Sequence, residues 1–189
     1  MKRIFLAGLV LATITATAAQ AQKKVALNLA AGVTLPQGDL ADRVDMGWHA
    51  LATVNLSSPT QAWGLRFDVA HNRFYQENEV ATPFQQTNYS GTDYSGRFTT
   101  TSATANLTYR LPLYNVAFSP YLITGLGAYV SECSGGGTCD AAAHYGWNIG
   151  LGTKLYVLGF QSFLEARFHR TGFRGTDVHY FPITFGISF

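Results

Sequence analysis

The sequence is poor in charge. Lys and Arg number 13 and Asp and Glu 11 in 189 residues, 13% together. No stretch clusters the basic residues into the patch that a nucleic-acid partner needs. No apolar run approaches the roughly 20 residues of a membrane-spanning helix. There are two cysteines, Cys133 and Cys139, and no CxxC pair. A metal site would want more ligands near them than His144 supplies, so no metal and no cofactor is expected. Phosphate-cradling glycine loops and serine-centred nucleophile elbows are also missing. These gaps remove the nucleotide-dependent enzymes and the helical membrane proteins.

Aromatic residues, at 14%, and 19 glycines are what the chain has in abundance. At the N-terminus Lys2 and Arg3 precede the apolar run Ile4 to Leu11, followed by small residues ending in Ala19-Gln20-Ala21. This is the three-part pattern of a secretory signal peptide, residues 1–21, with the mature chain starting at Gln22. Its removal takes Lys2 and Arg3, which balances the remaining charges. The rest, residues 22–189, suits one domain.

That remainder reads in twos, the period of a β-strand. Eight alternating stretches are predicted, at about 24–35, 47–57, 63–73, 98–111, 119–130, 144–157, 160–170 and 178–189. In the third, Trp63, Leu65, Phe67 and Val69 oppose Gly64, Arg66, Asp68 and Ala70. In the seventh, Phe160, Leu164, Ala166 and Phe168 oppose Gln161, Glu165, Arg167 and His169. The fifth is ambiguous: Tyr121, Ile123 and Tyr129 share one side, Leu122, Leu126 and Val130 the other. The connections after strands one, three, five and seven read as long and polar, those after two, four and six as short. Most acidic residues fall in the long set: Asp39, Asp42, Asp45, Glu77, Glu79, Asp93, Glu132, Asp140 and Asp177.

The last strand, VHYFPITFGISF, places Phe181, Ile183, Phe185, Ile187 and Phe189 on one side. At these residues the chain resembles the small bacterial outer-membrane β-barrels of OmpA/OmpX type. The resemblance implies an all-β, eight-stranded antiparallel up-and-down transmembrane barrel, exported through the periplasm to the outer membrane. It also implies an assembly signal at Phe185, Ile187 and Phe189, read by the barrel-assembly machinery, and contact with membrane lipid and lipopolysaccharide. No peptidoglycan-binding domain is expected after the eighth strand. The alternation of long and short connections agrees with external loops and periplasmic turns. Both termini then lie at the periplasmic end, and strand eight can pair with strand one so that no edge meets lipid.

Alternation alone does not exclude a soluble ligand-binding barrel with its apolar side inward. Aromatics decide for lipid outside. Trp48, Trp147, Phe168 and Phe181 fall near the loops and Trp63, Tyr109 and Phe189 near the turns, as two girdles. The charged side is sparse and mixed in sign: Arg66, Asp68, Arg110, Lys154, Glu165 and Arg167. Eight strands leave an interior just wide enough for side chains to fill. These six residues are therefore expected to form a packed interior network. A narrow pore is the alternative.

An exported protein meets an oxidising compartment, so a disulfide between Cys133 and Cys139 is expected across the intervening glycine run. It serves either as a rigid tip for contact or as a plain constraint on the loop. Glu165, His169 and Thr171 resemble, loosely, the acid–His–hydroxyl set of outer-membrane lipid A deacylases. That pattern has Ser where Thr171 stands, and a lipid-facing His, whereas His169 shares a side with charges. Interior ion pairing is the plainer role for Glu165 and Arg167, and no catalytic residue is assigned. The expected function is a structural or surface-contact one, adhesive or within the envelope, carried by the external loops toward a partner the sequence does not name. A lipid A-modifying enzyme is the alternative.

Overall fold

The computed structural model describes residues 24–57, 61–75, 97–112, 118–134, 139–157, 160–173 and 175–189. The eight strands are β1 (Lys24–Gln37), β2 (Asp45–Ser57), β3 (Trp63–Tyr75), β4 (Arg97–Arg110), β5 (Phe118–Ser134), β6 (Cys139–Val157), β7 (Phe160–Phe173) and β8 (Thr176–Ser188). Each pairs antiparallel with its neighbours in sequence, and β8 returns to β1, closing the barrel. The seam runs from Gln37 opposite His179 to Asn28 opposite Ser188. Beyond it, Leu27 and Phe189 exchange backbone hydrogen bonds: Phe189 N donates to Leu27 O at 2.8 Å, and Leu27 N to Phe189 O at 3.3 Å. Every strand thus finds two partners, the condition for backbone inside a hydrocarbon layer.

The alternation sorts side chains as the sequence implies. Leu27, Leu29, Val69, Leu151 and Ile149 project outward and are more than half exposed. Asn28, Thr53, Arg66, Asp68, Asn106 and Glu165 project inward and are buried. On β5 the ambiguity resolves in favour of geometry over hydropathy. Tyr121, Ile123 and Tyr129 point into the lumen, while Leu122, Leu126 and Val130 face out. At one end of the outer surface the Trp63 and Tyr109 rings lie 4.5 Å apart. Toward the other end Trp147 and Phe168 lie 5.7 Å apart.

Two segments expected as loops are largely strand. A spanning strand needs about 9–11 residues. β5 has 17 and β6 has 19, so both overrun the membrane on the side of the long connections. Their register continues to Cys133 opposite Cys139, with an irregularity between Ser131 and Cys133. Likewise β7 runs on to Phe173 and β8 starts at Thr176. Gly175, at φ +82°, takes the left-handed backbone that so short a connection needs. Polar composition suggested loops here, but above the membrane a strand is free to be polar on both sides. The segment expected as the long second loop lies mostly outside the described residues, as do the signal peptide and the turn at Ser58-Pro59-Thr60.

After β1 the chain makes a 3-10 turn, Gly38–Leu40, before β2. Leu40 and Val44 fold back into the end of the barrel and are buried there.

Candidate functional site

The lumen is organised in three levels, set by which inward positions of each strand fall at the same height. At mid-barrel, Arg66 and Asp68 of β3 face Glu165 and Arg167 of β7. These strands are four apart in a ring of eight, so the residues meet across the full width of the lumen. Arg66 donates from Nε to Asp68 Oδ1 at 2.7 Å, and from Nη1 and Nη2 to Glu165 at 2.7 and 2.9 Å. Arg167 donates from Nη2 to Asp68 Oδ2 at 2.8 Å and from Nε to Glu165 Oε1 at 2.6 Å. Each guanidinium therefore serves both carboxylates, using the planar fork that Lys lacks. Two positive and two negative charges cancel, which is what allows all four to be buried.

Neutral side chains complete this level. Tyr121 OH donates to Glu165 Oε2 at 2.6 Å. Asn106 Nδ2 donates to Asp68 Oδ2, and Asn148 Nδ2 to Asn106 Oδ1, both at 2.9 Å. Small residues clear the space. A Cβ at Gly152 would lie 2.6 Å from the Tyr121 ring, and one at Gly150 would lie 2.5 Å from Arg167 Cγ. Of the six residues expected in one network, four are joined. Arg110 and Lys154 sit nearer the end where the chain termini lie, bordering a cavity instead of the four-charge cluster. Arg110 donates to the Gln61 carbonyl at 3.3 Å.

Above the network, toward the long connections, the lumen turns aromatic. Phe74, Phe98, Tyr129, Phe173 and Tyr180 pack with Leu40, Val44, Val178 and Cys133 into one buried cluster. Phe98 lies 5.9 Å from Phe74 and 5.6 Å, edge-on, from Phe173. Phe74 meets Tyr180 edge-on at 5.8 Å. This apolar seal was not anticipated. Its signal was present: Phe74 has the parity of Arg66 and Asn72, and Phe173 that of Arg167 and Thr171. Both fell in segments read as loops, where parity carries no information.

Between seal and network lie the histidines. His49 bonds Thr34 Oγ1 at 2.9 Å through Nδ1 and Thr184 Oγ1 at 2.8 Å through Nε2. His169 pairs its Nδ1 with the Tyr129 hydroxyl at 3.0 Å and stacks on Tyr180 at 4.9 Å. Glu165 is committed to the two arginines and Tyr121, so it does not orient His169. Thr171 is buried in the lumen beyond His169. An acid–base–nucleophile relay, which needs each group within hydrogen-bond reach of the next, is not formed by these three residues. None of them faces lipid.

The fold of this closed eight-stranded barrel has counterparts among solved structures. One is neisserial surface protein A, at TM-score 0.60 and 16% identity over 87% of this chain and 95% of that one. Another is Ail, the attachment invasion locus protein of Yersinia pestis, at TM-score 0.51 and 15% identity over 88% and 99%. Comparison with curated proteins finds no match. The family model of the outer membrane protein beta-barrel domain matches residues 4–189. Because that match spans nearly the whole sequence, the chain belongs to the outer membrane protein beta-barrel domain family, and its place is the bacterial outer membrane.

Proposed function

We propose that this protein is a non-catalytic surface-contact protein whose barrel holds the long connections outside the cell, where they meet other cells, host molecules or lipopolysaccharide. The observation that carries this reading is the apolar seal. An end filled by Phe74, Phe98, Phe173 and Tyr180 serves as a platform, not as the mouth of a channel or the floor of an active site. Loops on a rigid scaffold are where binding residues concentrate. β5 and β6 themselves extend beyond the membrane on the side of the long connections, and a Cys133–Cys139 disulfide would lock their ends together. The name of one similar structure, attachment invasion locus protein, describes a surface role in that protein.

The proposal includes the biogenesis that such a role needs. Residues 1–21 are removed on export, and the assembly machinery recognises Phe185, Ile187 and Phe189. N-terminal sequencing of the protein in outer membranes should begin at Gln22.

The decisive experiment compares cells displaying the whole barrel with cells displaying a variant in which residues 78–94 are replaced by a short Gly-Ser linker. Both must reach the membrane at equal levels. Binding to immobilised host matrix, to other cells or to lipopolysaccharide should fall in the variant. Equal binding to all three would remove the surface-contact reading. Lipid A acylation should be the same with and without His169→Ala; a changed pattern would bring back the enzyme.

A further inference from the structure

Below the four-charge network the lumen widens into a cavity of about 290 Å³ at the periplasmic end. That is near the lower bound of ligand sites, roughly 300 Å³, and holds the volume of about ten waters. Arg66, at its inner end, is already committed: Nε donates to Asp68, and Nη1 and Nη2 to Glu165. The Tyr121 hydroxyl is committed to Glu165 as well. What this floor adds is ring surface, from Tyr121 and from Phe163, whose centroid lies 5.6 Å from the Arg66 guanidinium.

The side walls are built of amides and hydroxyls. Asn28, Asn55, Thr108, Ser119, Gln161 and Ser188 line the cavity, one inward residue from each of six strands. Part of their capacity is in use. Thr108 donates to the Gly64 carbonyl at 3.2 Å, and Gln161 Nε2 to the Tyr156 hydroxyl at 2.7 Å. Part is not. Asn28 is 2% exposed; its Nδ2 donates to Thr53 Oγ1, but its Oδ1 has no partner among the described residues. A buried acceptor left unpaired is costly, so this wall calls for a donor. Amide and hydroxyl side chains each both donate and accept. They match a ligand whose own groups do both, and a ring of hydroxyls is such a ligand.

We propose that this recess binds one ring of a neutral saccharide, reached from the periplasm. Its hydroxyls exchange hydrogen bonds with Asn55, Ser119 and Gln161, and one donates to Asn28 Oδ1. Its apolar C–H face lies against the Phe163 and Tyr121 rings. Sugar hydroxyls reproduce the hydrogen bonds of the waters they displace, which keeps that exchange favourable. Arg110, which donates to the Gln61 carbonyl at 3.3 Å, and Lys154 also border the recess, as does the end of β8 through Ser188. Recognition of hydroxyls needs no excess of either charge there. The site lies at the opposite end from the proposed contact surface and does not depend on it.

The test uses the full barrel in phosphatidylcholine nanodiscs, titrated separately with glucose and N-acetylglucosamine while backbone amide shifts are followed. At least one sugar should give saturable shifts at Asn55, Ser119 and Gln161 and none at Gly175. In Asn55→Ala combined with Gln161→Ala, affinity for that sugar should fall about tenfold or more. Ser119→Ala alone, which removes one hydroxyl and little bulk, should weaken binding about threefold and serves if the double variant does not fold. No saturable shifts with either sugar would overturn the proposal, leaving water as the occupant. So would saturable shifts with inorganic phosphate and with neither sugar, or undiminished sugar binding in the folded variants.

Discussion

Arg66 and Glu165, 99 residues apart in the chain, meet across the lumen through parallel hydrogen bonds of 2.7 and 2.9 Å. With Asp68 and Arg167 they form a neutral strut between opposite walls. Removing one member leaves an uncompensated buried charge. Glu165→Ala should therefore cost about 3–5 kcal/mol of stability. Replacing Glu165 and Arg66 together by neutral residues should cost less than the two single changes summed. Urea unfolding of the refolded barrel in lipid vesicles reads both, and strictly additive losses would mean the four charges are not one unit.

The aromatic seal makes a separate claim about permeability. Phe98→Ala should destabilise by about 3–5 kcal/mol, the usual cost of emptying a buried aromatic site. The wild type should show no steady ionic current in planar bilayers, because seal and strut both obstruct the lumen. A stable conductance in the unaltered protein would contradict the packing described here.

The outward face is tested at Val69, which lies between Trp63 and Arg73 on β3 and is more than half exposed. Val69→Arg should cost about 2–4 kcal/mol at mid-membrane depth. The inward neighbour Ala70 carries no such depth dependence. If Val69→Arg folds with unchanged stability, the apolar belt is misassigned on that strand.

Closure of the barrel rests on the last strand. Deleting Phe189 removes its two backbone bonds to Leu27 and the outward ring that ends the apolar row of Phe185 and Ile187. Outer-membrane levels should drop, and they should drop further than on deleting Asn88 in the second long connection. Quantitative blotting of membrane fractions checks this; equal levels would show that the terminal residue does not guide assembly.

Much of the architecture is legible in the chain because a barrel strand states its two environments in alternation. Strand count, face assignment on seven strands and the inward placement of Arg66, Asp68, Glu165 and Arg167 all follow from a period of two. β5 escaped because Tyr121 and Tyr129 are amphipathic: the rings resemble lipid-facing residues, and only their hydroxyl partners, Glu165 and His169, show that they point inward. Strand ends escaped for a different reason. Above the membrane the outer side need no longer be apolar, so the alternation fades while the ladder continues through Ser131, Cys133 and Thr171.

What the sequence by itself determined is local: which residues alternate, where charge is scarce, and which side of each strand meets hydrocarbon. That information survives in one dimension because the membrane imposes the same solvent on every strand. Which inward residues meet is decided only when the sheet closes. Register and curvature bring β3 opposite β7, join four charges and leave Arg110 and Lys154 around a cavity. They also gather Phe74, Phe98, Phe173 and Tyr180 from four strands into one seal. Arg66 with Glu165, Phe98 with Phe173 and Phe74 with Tyr180 join strands that are not neighbours in the sheet, and no spacing along a single strand records a meeting across the lumen.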